Sequence, residues 1–264
     1  LRQWFKRWRK KMPNLATRSK KGKVYLFCDE FTNFNDVEIG IKAVNLLSRL
    51  GYGVEMIAHA ESGRAYLSKG LLEEAQKMAI ENVGIFSPII TEATPLIGIE
   101  PSCILSFRDE YPKLVPPEQQ TTATTLAKNA LLIDEFLHRE MEKGNISAAD
   151  FTDEHKQILL HGHCHQKALS KVSYSAFILG LPRNYTVSNI PSGCCGMAGS
   201  FGYEAEHYEV SMQIGDLVLF PSVRTAENST LIAAPGTSCR HQIADGTGKI
   251  AQHPIAILHD ALKA

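Results

Sequence analysis

Four cysteines carry the chemistry this sequence can do. Cys194 and Cys195 follow Cys164 after thirty positions, and Cys239 lies 44 beyond Cys195. Six cysteines in 264 residues are too few for a disulfide scaffold, and nothing in the pattern marks secretion. The thiols are therefore expected to be reduced and available for metal or redox work. Four thiolates converging from three loops suit an iron–sulfur cluster or a structural zinc ion. A single free cysteine is most simply a small buried apolar residue; four grouped ones ask for more. Gly193 and Gly196 bracket the adjacent pair. Neighbouring residues of a strand face opposite ways, so the pair is expected on a tight turn that points both sulfurs into one site.

Histidines surround the first thiol in His161-Gly162-His163-Cys164-His165. Strand alternation would put all three imidazoles on one face, as in His-x-His metallohydrolases. The Asp of that pattern is missing and Cys164 stands in its place, which argues against a hydrolytic centre. His163 and His165 are instead candidates for a ligand or for hydrogen bonds to metal-bound sulfur, which tune potential. His241, two residues after Cys239, is a further candidate of the same kind.

The elements that position these residues are read from a repeat. Cys28 closes the apolar run Val24-Tyr25-Leu26-Phe27 as Cys164 follows Ile158-Leu159-Leu160, an offset of 136. Glu61-Ser62-Gly63 matches Cys194-Cys195-Gly196 at 133, and Glu100-Pro101-Ser102-Cys103 matches Gly236-Thr237-Ser238-Cys239 at 136. Each copy alternates strands with helices of 3.6 periodicity, such as Ile41, Val44, Leu47 and Leu50 before a capping Gly51. That alternation predicts an α/β protein of two pseudo-symmetric β/α units with short parallel sheets. Every landmark then falls at the carboxyl end of a strand, where such folds place their sites. The expected domains are a basic extension over 1–21, a degenerate first repeat over 22–112, a helical connector over 113–155 and the cluster-bearing repeat over 156–264. The connector rests on Pro116–Lys143, with Leu126, Leu131, Leu132 and Phe136. In the first repeat Cys28, Glu61, Glu100 and Cys103 are expected to line a polar pocket at a decayed site.

Composition is that of a globular protein, 44% apolar and 21% charged, with no apolar run long enough to span a membrane. Net charge is zero, but ten of the 28 basic residues fall between Leu1 and Lys23, before any acid. The remaining 18 face 28 acidic residues, a balance that argues against nucleic acid. The segment around Trp4-Phe5-Lys6-Arg7-Trp8 reads as a linker helix docking on a neighbouring acidic domain, compatible with a peripheral place on an anionic membrane surface. Leu1 in place of Met is read as a boundary within a longer protein.

The motifs resemble a family. Cys164, Gly193-Cys194-Cys195-Gly196 and the Cys239 segment are similar to the cysteine-rich CCG domain. That domain occurs in heterodisulfide reductase and in the iron–sulfur subunits of glycolate oxidase and anaerobic glycerol-3-phosphate dehydrogenase. The family pattern is a duplicated unit of Cys, Cys-Cys-Gly and Cys-x-x-Cys. His163-Cys164-His165-Gln166-Lys167, Ser192-Gly193-Cys194-Cys195-Gly196-Met197 and Gly236-Thr237-Ser238-Cys239-Arg240 look like the C-terminal part of fused FAD-linked D-2-hydroxy acid dehydrogenases, the D-lactate and D-2-hydroxyglutarate type. The resemblance implies a 4Fe-4S cluster on Cys164, Cys194, Cys195 and Cys239, in a cytoplasmic electron-transfer module or one on the inner face of the membrane. Its implied partners are a flavin dehydrogenase domain carrying FAD, a ferredoxin-like iron–sulfur domain and an electron acceptor. A zinc-bearing module that only docks proteins is the alternative. Two departures stand out: Gly236 replaces one thiol of the second Cys-x-x-Cys, and the first repeat has lost its cysteine pair.

Overall fold

The computed structural model describes residues 1–11 and 20–263, in two compact units, Leu1–Phe136 and Leu137–Ala264. In the first, β-branched, aromatic and leucine residues build β1 (Lys23–Phe27), which pairs in parallel with β2 (Gly53–Glu55) and β3 (Leu96–Gly98). A fourth strand, β4 (Ala130–Leu132), joins β3, so the order is β2-β1-β3-β4. The second unit repeats this with β5 (Lys156–Leu160), β6 (Tyr185–Asn189), β7 (Leu231–Ala233) and β8 (Ala251–Gln252), in the order β6-β5-β7-β8. The α/β architecture of two parallel sheets matches the expectation. Leu131 and Leu132 differ: they lie in a buried strand rather than in a connecting helix, because an apolar run of three completes the first sheet.

The shared strand order fixes where a site can form. In each unit the chain leaves the central strand for one neighbour, then crosses back to the other side. The crevice opens where the connections diverge, beyond the carboxyl ends of β1 and β3, and of β5 and β7. The helices of the first unit include α1 (Arg2–Lys11, preceding the sheet), α2 (Glu30–Phe34), α3 (Val37–Arg49), α4 (Leu72–Phe86) and α5 (Pro101–Ile104). Those of the second include α6 (Cys164–Leu169), α7 (Val172–Leu179), α8 (Tyr208–Leu217), α9 (Thr237–Thr247) and α10 (Pro254–Asp260). Alternation along β5 divides the second core. Ile158 and Leu160 pack with Leu179 and Ile257 on one face, while Leu159 packs with Phe220, Ile232 and Ile243 on the other.

The basic N-terminal segment is more than a linker. In α1 Phe5 and Trp8 are buried, and Leu1 fills the space beside Gly40. Arg2 donates to the Cys28 and His59 carbonyls at 3.1 and 3.3 Å. Lys6, Arg7, Lys10 and Lys11 are exposed, so the charge stays solvated while the rings join the core. Residues 12–19 of the expected linker lie outside the described residues. Among the described residues no helix is long and apolar enough to cross a membrane.

Candidate metal centre

Three loops bring the four thiols of the second unit together. Cys164 is the first residue of α6, four positions beyond the end of β5. Cys194 and Cys195 follow β6. Cys239 sits in the first turn of α9, which follows β7 and is capped by Gly236. The thiols form a continuous chain of contacts: Cys164 hydrogen-bonds Cys194, Cys194 also meets Cys195, and Cys195 meets Cys239. Cys195 and Cys239 are buried in the apolar cluster on one face of the sheet, whereas Cys164 and Cys194 are half-buried at its edge.

The turn between the loops is tightly specified. Gly196 has φ +106°, and a Cβ there would lie 2.2 Å from the Ser211 carbonyl oxygen, so only glycine fits. Gly193 differs from expectation, since its surroundings are open and its φ is not positive. The Gly196 amide donates to Cys194 Sγ at 3.3 Å. The Lys167 ammonium donates to the carbonyls of Ser192 and Gly193 at 2.6 and 2.8 Å and ties the approach to the turn. Arg240 fixes the third loop through the Ala234 and Pro235 carbonyls at 3.0 and 2.7 Å.

Electrostatics divide the four sulfurs into two kinds. Cys194 is held well below the usual thiol range, chiefly by hydrogen bonds from the Cys164 and Cys195 thiols and then by backbone amides. Cys239 is lowered by the Cys195 thiol, with His163 and His161 adding to the effect against the cost of burial. Cys164 and Cys195 are raised as the matching donors.

The histidines are not equivalent. β5 ends before them, so strand alternation does not apply, and each takes its own place. His161 is fully buried, and one of its nitrogens lies within 4.8 Å of the Cys195 and Cys239 sulfurs. His163 caps α6, its Nδ1 accepting from the His165 amide at 3.2 Å. His163, Cys164 and His165 form a second group whose donor atoms lie within 4.8 Å of one another. His241 turns to the exposed side of α9, where its Nδ1 pairs with the Tyr203 hydroxyl at 2.8 Å, about half a helical turn from Cys239. Both cysteine–histidine groups can hold a metal ion. Soft sulfur and imidazole donors fit an iron–sulfur or zinc centre far better than a hard cation.

The first unit repeats the positions with different chemistry. Glu30, rather than Cys28, is the counterpart of Cys164, because each is the first residue of the helix after the central strand. β1 reaches α2 through two residues and β5 reaches α6 through three, which shifts the sequence offset. Glu30 accepts from the Ser62 amide at 2.9 Å and from its hydroxyl at 2.6 Å. Ser62 Oγ in turn lies 3.2 Å from Cys103 Sγ. A carboxylate, a hydroxyl and a thiol therefore stand where the second unit sets cysteines. Burial pushes the Cys103 thiol well up, with Asp29, Glu30 and Glu100 adding to it. Burial likewise raises Cys28, to about 11. Glu100 is buried as the cap of α5, accepting from the Ser102 amide and hydroxyl at 3.2 and 2.8 Å. Glu61 is exposed and takes no part by its side chain, which spares a carboxylate the cost of burial. Asp29 and Glu30, which no motif singles out in the sequence, complete the polar cluster with Ser62, the counterpart of Cys195.

No protein-family model matches the chain, so the likeness to the CCG domain rests on its motif residues. The chain is 26% identical over 253 residues to D-2-hydroxyglutarate dehydrogenase of Escherichia coli K12, covering 96% of this chain and 24% of that protein. It is 27% identical over 249 residues to a subunit of the anaerobic glycerol-3-phosphate dehydrogenase of the same organism, covering 92% and 60%. With D-2-hydroxyglutarate dehydrogenase of Pantoea ananatis it shares 25% over 245 residues, covering 92% and 23%. The chain thus spans about a quarter to three fifths of the length of these relatives, all of them dehydrogenases or a dehydrogenase subunit by name.

Proposed function

We propose that Cys164, Cys194, Cys195 and Cys239 hold an iron–sulfur cluster of the 4Fe-4S type. In this reading the chain is the C-terminal electron-transfer module of a flavin-linked oxidoreductase that oxidises a 2-hydroxy acid. The observation that carries the reading is the unbroken chain of four thiols at the switch point of the second sheet. Similarity to dehydrogenases that extend well beyond this segment supports it, and the name D-2-hydroxyglutarate dehydrogenase favours a 2-hydroxy acid as substrate. Bound there, the cluster would supply one-electron transfer, which a flavin oxidising a hydroxy acid by two electrons requires at its outlet.

The protein's own residues provide the rest. Cys195 and Cys239 anchor the centre in apolar surroundings, while the half-buried Cys164 and Cys194 leave one edge towards partners. The Gly196 amide at the Cys194 sulfur tunes potential without adding charge. A flavin domain or subunit carrying FAD, a ferredoxin-like iron–sulfur domain and an electron acceptor are the partners this reading calls for. It places the module on the cytoplasmic side, where thiols stay reduced, with the exposed lysines and arginine of α1 suited to an anionic membrane surface.

Stopped-flow absorbance of the complete flavin enzyme tests the role. With Cys194→Ser, substrate should still bleach the flavin in one turnover, while re-oxidation by the physiological acceptor slows by orders of magnitude and a small dye restores turnover. Unimpaired turnover with the physiological acceptor would take the module out of the electron path.

A further inference from the structure

Beyond the four cysteines, the structure holds one more donor aimed at the same centre. We infer that His161 is a direct ligand of the metal centre through Nε2, an inference that rests on the cluster reading above.

Burial sets the first constraint. His161 has no solvent exposure, so each of its ring nitrogens must find a partner inside the protein. Nδ1 has one, the Ser192 hydroxyl at 2.7 Å. Nε2 makes no hydrogen bond of regular geometry, although it is sealed from water, and the ring's polar contact beyond Ser192 is with the Cys239 sulfur. The ring is not adrift in an apolar core: one of its nitrogens lies within 4.8 Å of both the Cys195 and Cys239 sulfurs. With Nδ1 engaged by Ser192, Nε2 is the nitrogen free to face them.

The pairing on the far side of the ring fits the same role. A metal-bound imidazole nearly always gives its other N–H to a hydrogen-bond acceptor, which fixes the tautomer and the ring plane. Ser192 Oγ is such an acceptor, and Ser192 is itself held next to the turn, its carbonyl receiving the Lys167 ammonium at 2.6 Å. The proton then resides on Nδ1 and the lone pair of Nε2 is available. Coordination forms one metal–nitrogen bond on an iron that a thiolate already holds, so that iron gains a ligand and neither a thiolate nor a ring proton leaves.

Position separates His161 from its neighbours. The His163 ring lies against Gly236, and His165 is only half-buried beside Cys164. His161 instead is fully buried, with a ring nitrogen within 4.8 Å of the Cys195 and Cys239 sulfurs. A site of four thiolates thus gains a neutral nitrogen donor.

The test uses the full chain, reconstituted anaerobically with iron and sulfide, reduced, and examined by pulsed EPR with and without nitrogen-15 in its histidines. A strongly coupled histidine nitrogen is expected in the wild type. It should vanish in His161→Gln, which keeps iron within about two-fold of the wild type because the thiols remain. Should His161→Gln fail to fold, His163→Gln and His165→Gln each retaining the coupling would assign it to His161. A cluster without strong histidine coupling, or coupling that persists in His161→Gln, would overturn the ligand assignment and leave the cluster reading standing. Failure to incorporate iron and sulfide at all would overturn both.

Discussion

The imidazole of His163 occupies the space that a side chain at position 236 would need. A Cβ on Gly236 would lie 2.3 Å from Cδ2 of His163 and 3.3 Å from the Cys239 sulfur. The helix cap that precedes Cys164 and the helix cap that precedes Cys239 are thus fitted to each other across the crevice. Gly236→Ala should therefore cost about 1–3 kcal/mol of stability through overpacking. His163→Ala in the same chain should recover most of that loss, since the two changes share one contact. Equilibrium urea unfolding of the metal-free single and double variants measures this; additive losses would show that the ring is not the obstacle.

Asp29 gives the first unit a pH dependence of its own. Burial, reinforced by Glu30 and Glu100, raises its carboxyl to about 8 against the Thr32 hydrogen bonds, from an ordinary value of 3.8. The folded chain therefore keeps a proton that the unfolded chain gives up, and stability falls as pH rises between about 4 and 8. Asparagine cannot ionise and can still cap α2 through its side-chain oxygen. The stability advantage of Asp29→Asn over the wild type should grow across that window and level off above it. Parallel pH profiles of the two melting temperatures would contradict the assignment.

The N-terminal helix should behave as part of the first unit's core. Phe5→Ala removes a buried ring and should destabilise by about 3 kcal/mol or more. Arg9→Ala, which loses only a surface ion pair with Glu55, should change stability by less than about 1 kcal/mol. Thermal unfolding of both variants decides the matter, and an equally small effect of Phe5→Ala would return the segment to the status of a linker.

What the sequence makes legible follows from how local each signal is. The strands leading to Cys164 and Cys239 announce themselves as apolar runs, and the repeat makes the two-unit parallel fold readable. β4 and β8 escape notice because neither leads to a landmark of the repeat, and β4 runs directly into a helix at Ile133. The match of Cys28 with Cys164 misleads because loop length cannot be read from residue identity. One residue more after β5 moves the true counterpart to Glu30. The burial of Phe5 and Trp8 is hidden by the basic residues between them, although their spacing of three is that of one helix face. His161 could have been found from the same five-residue motif as His163 and His165, but only the end of β5 at Leu160 separates their roles.

If the second unit alone carries a four-thiolate iron–sulfur centre, metal content must follow its cysteines and no others. The most direct measurement is iron, sulfide and zinc content of anaerobically purified protein, for the wild type, Cys194→Ser, Cys195→Ser and the pair Cys28→Ser/Cys103→Ser. Wild-type protein should be brown, with iron and sulfide in equal amounts. Either change in the adjacent pair should abolish both, whereas the first-unit pair, with its protonated buried thiols, should leave them unchanged. Colourless protein holding zinc, or iron lost as completely from Cys28→Ser/Cys103→Ser as from Cys194→Ser, would contradict the assignment.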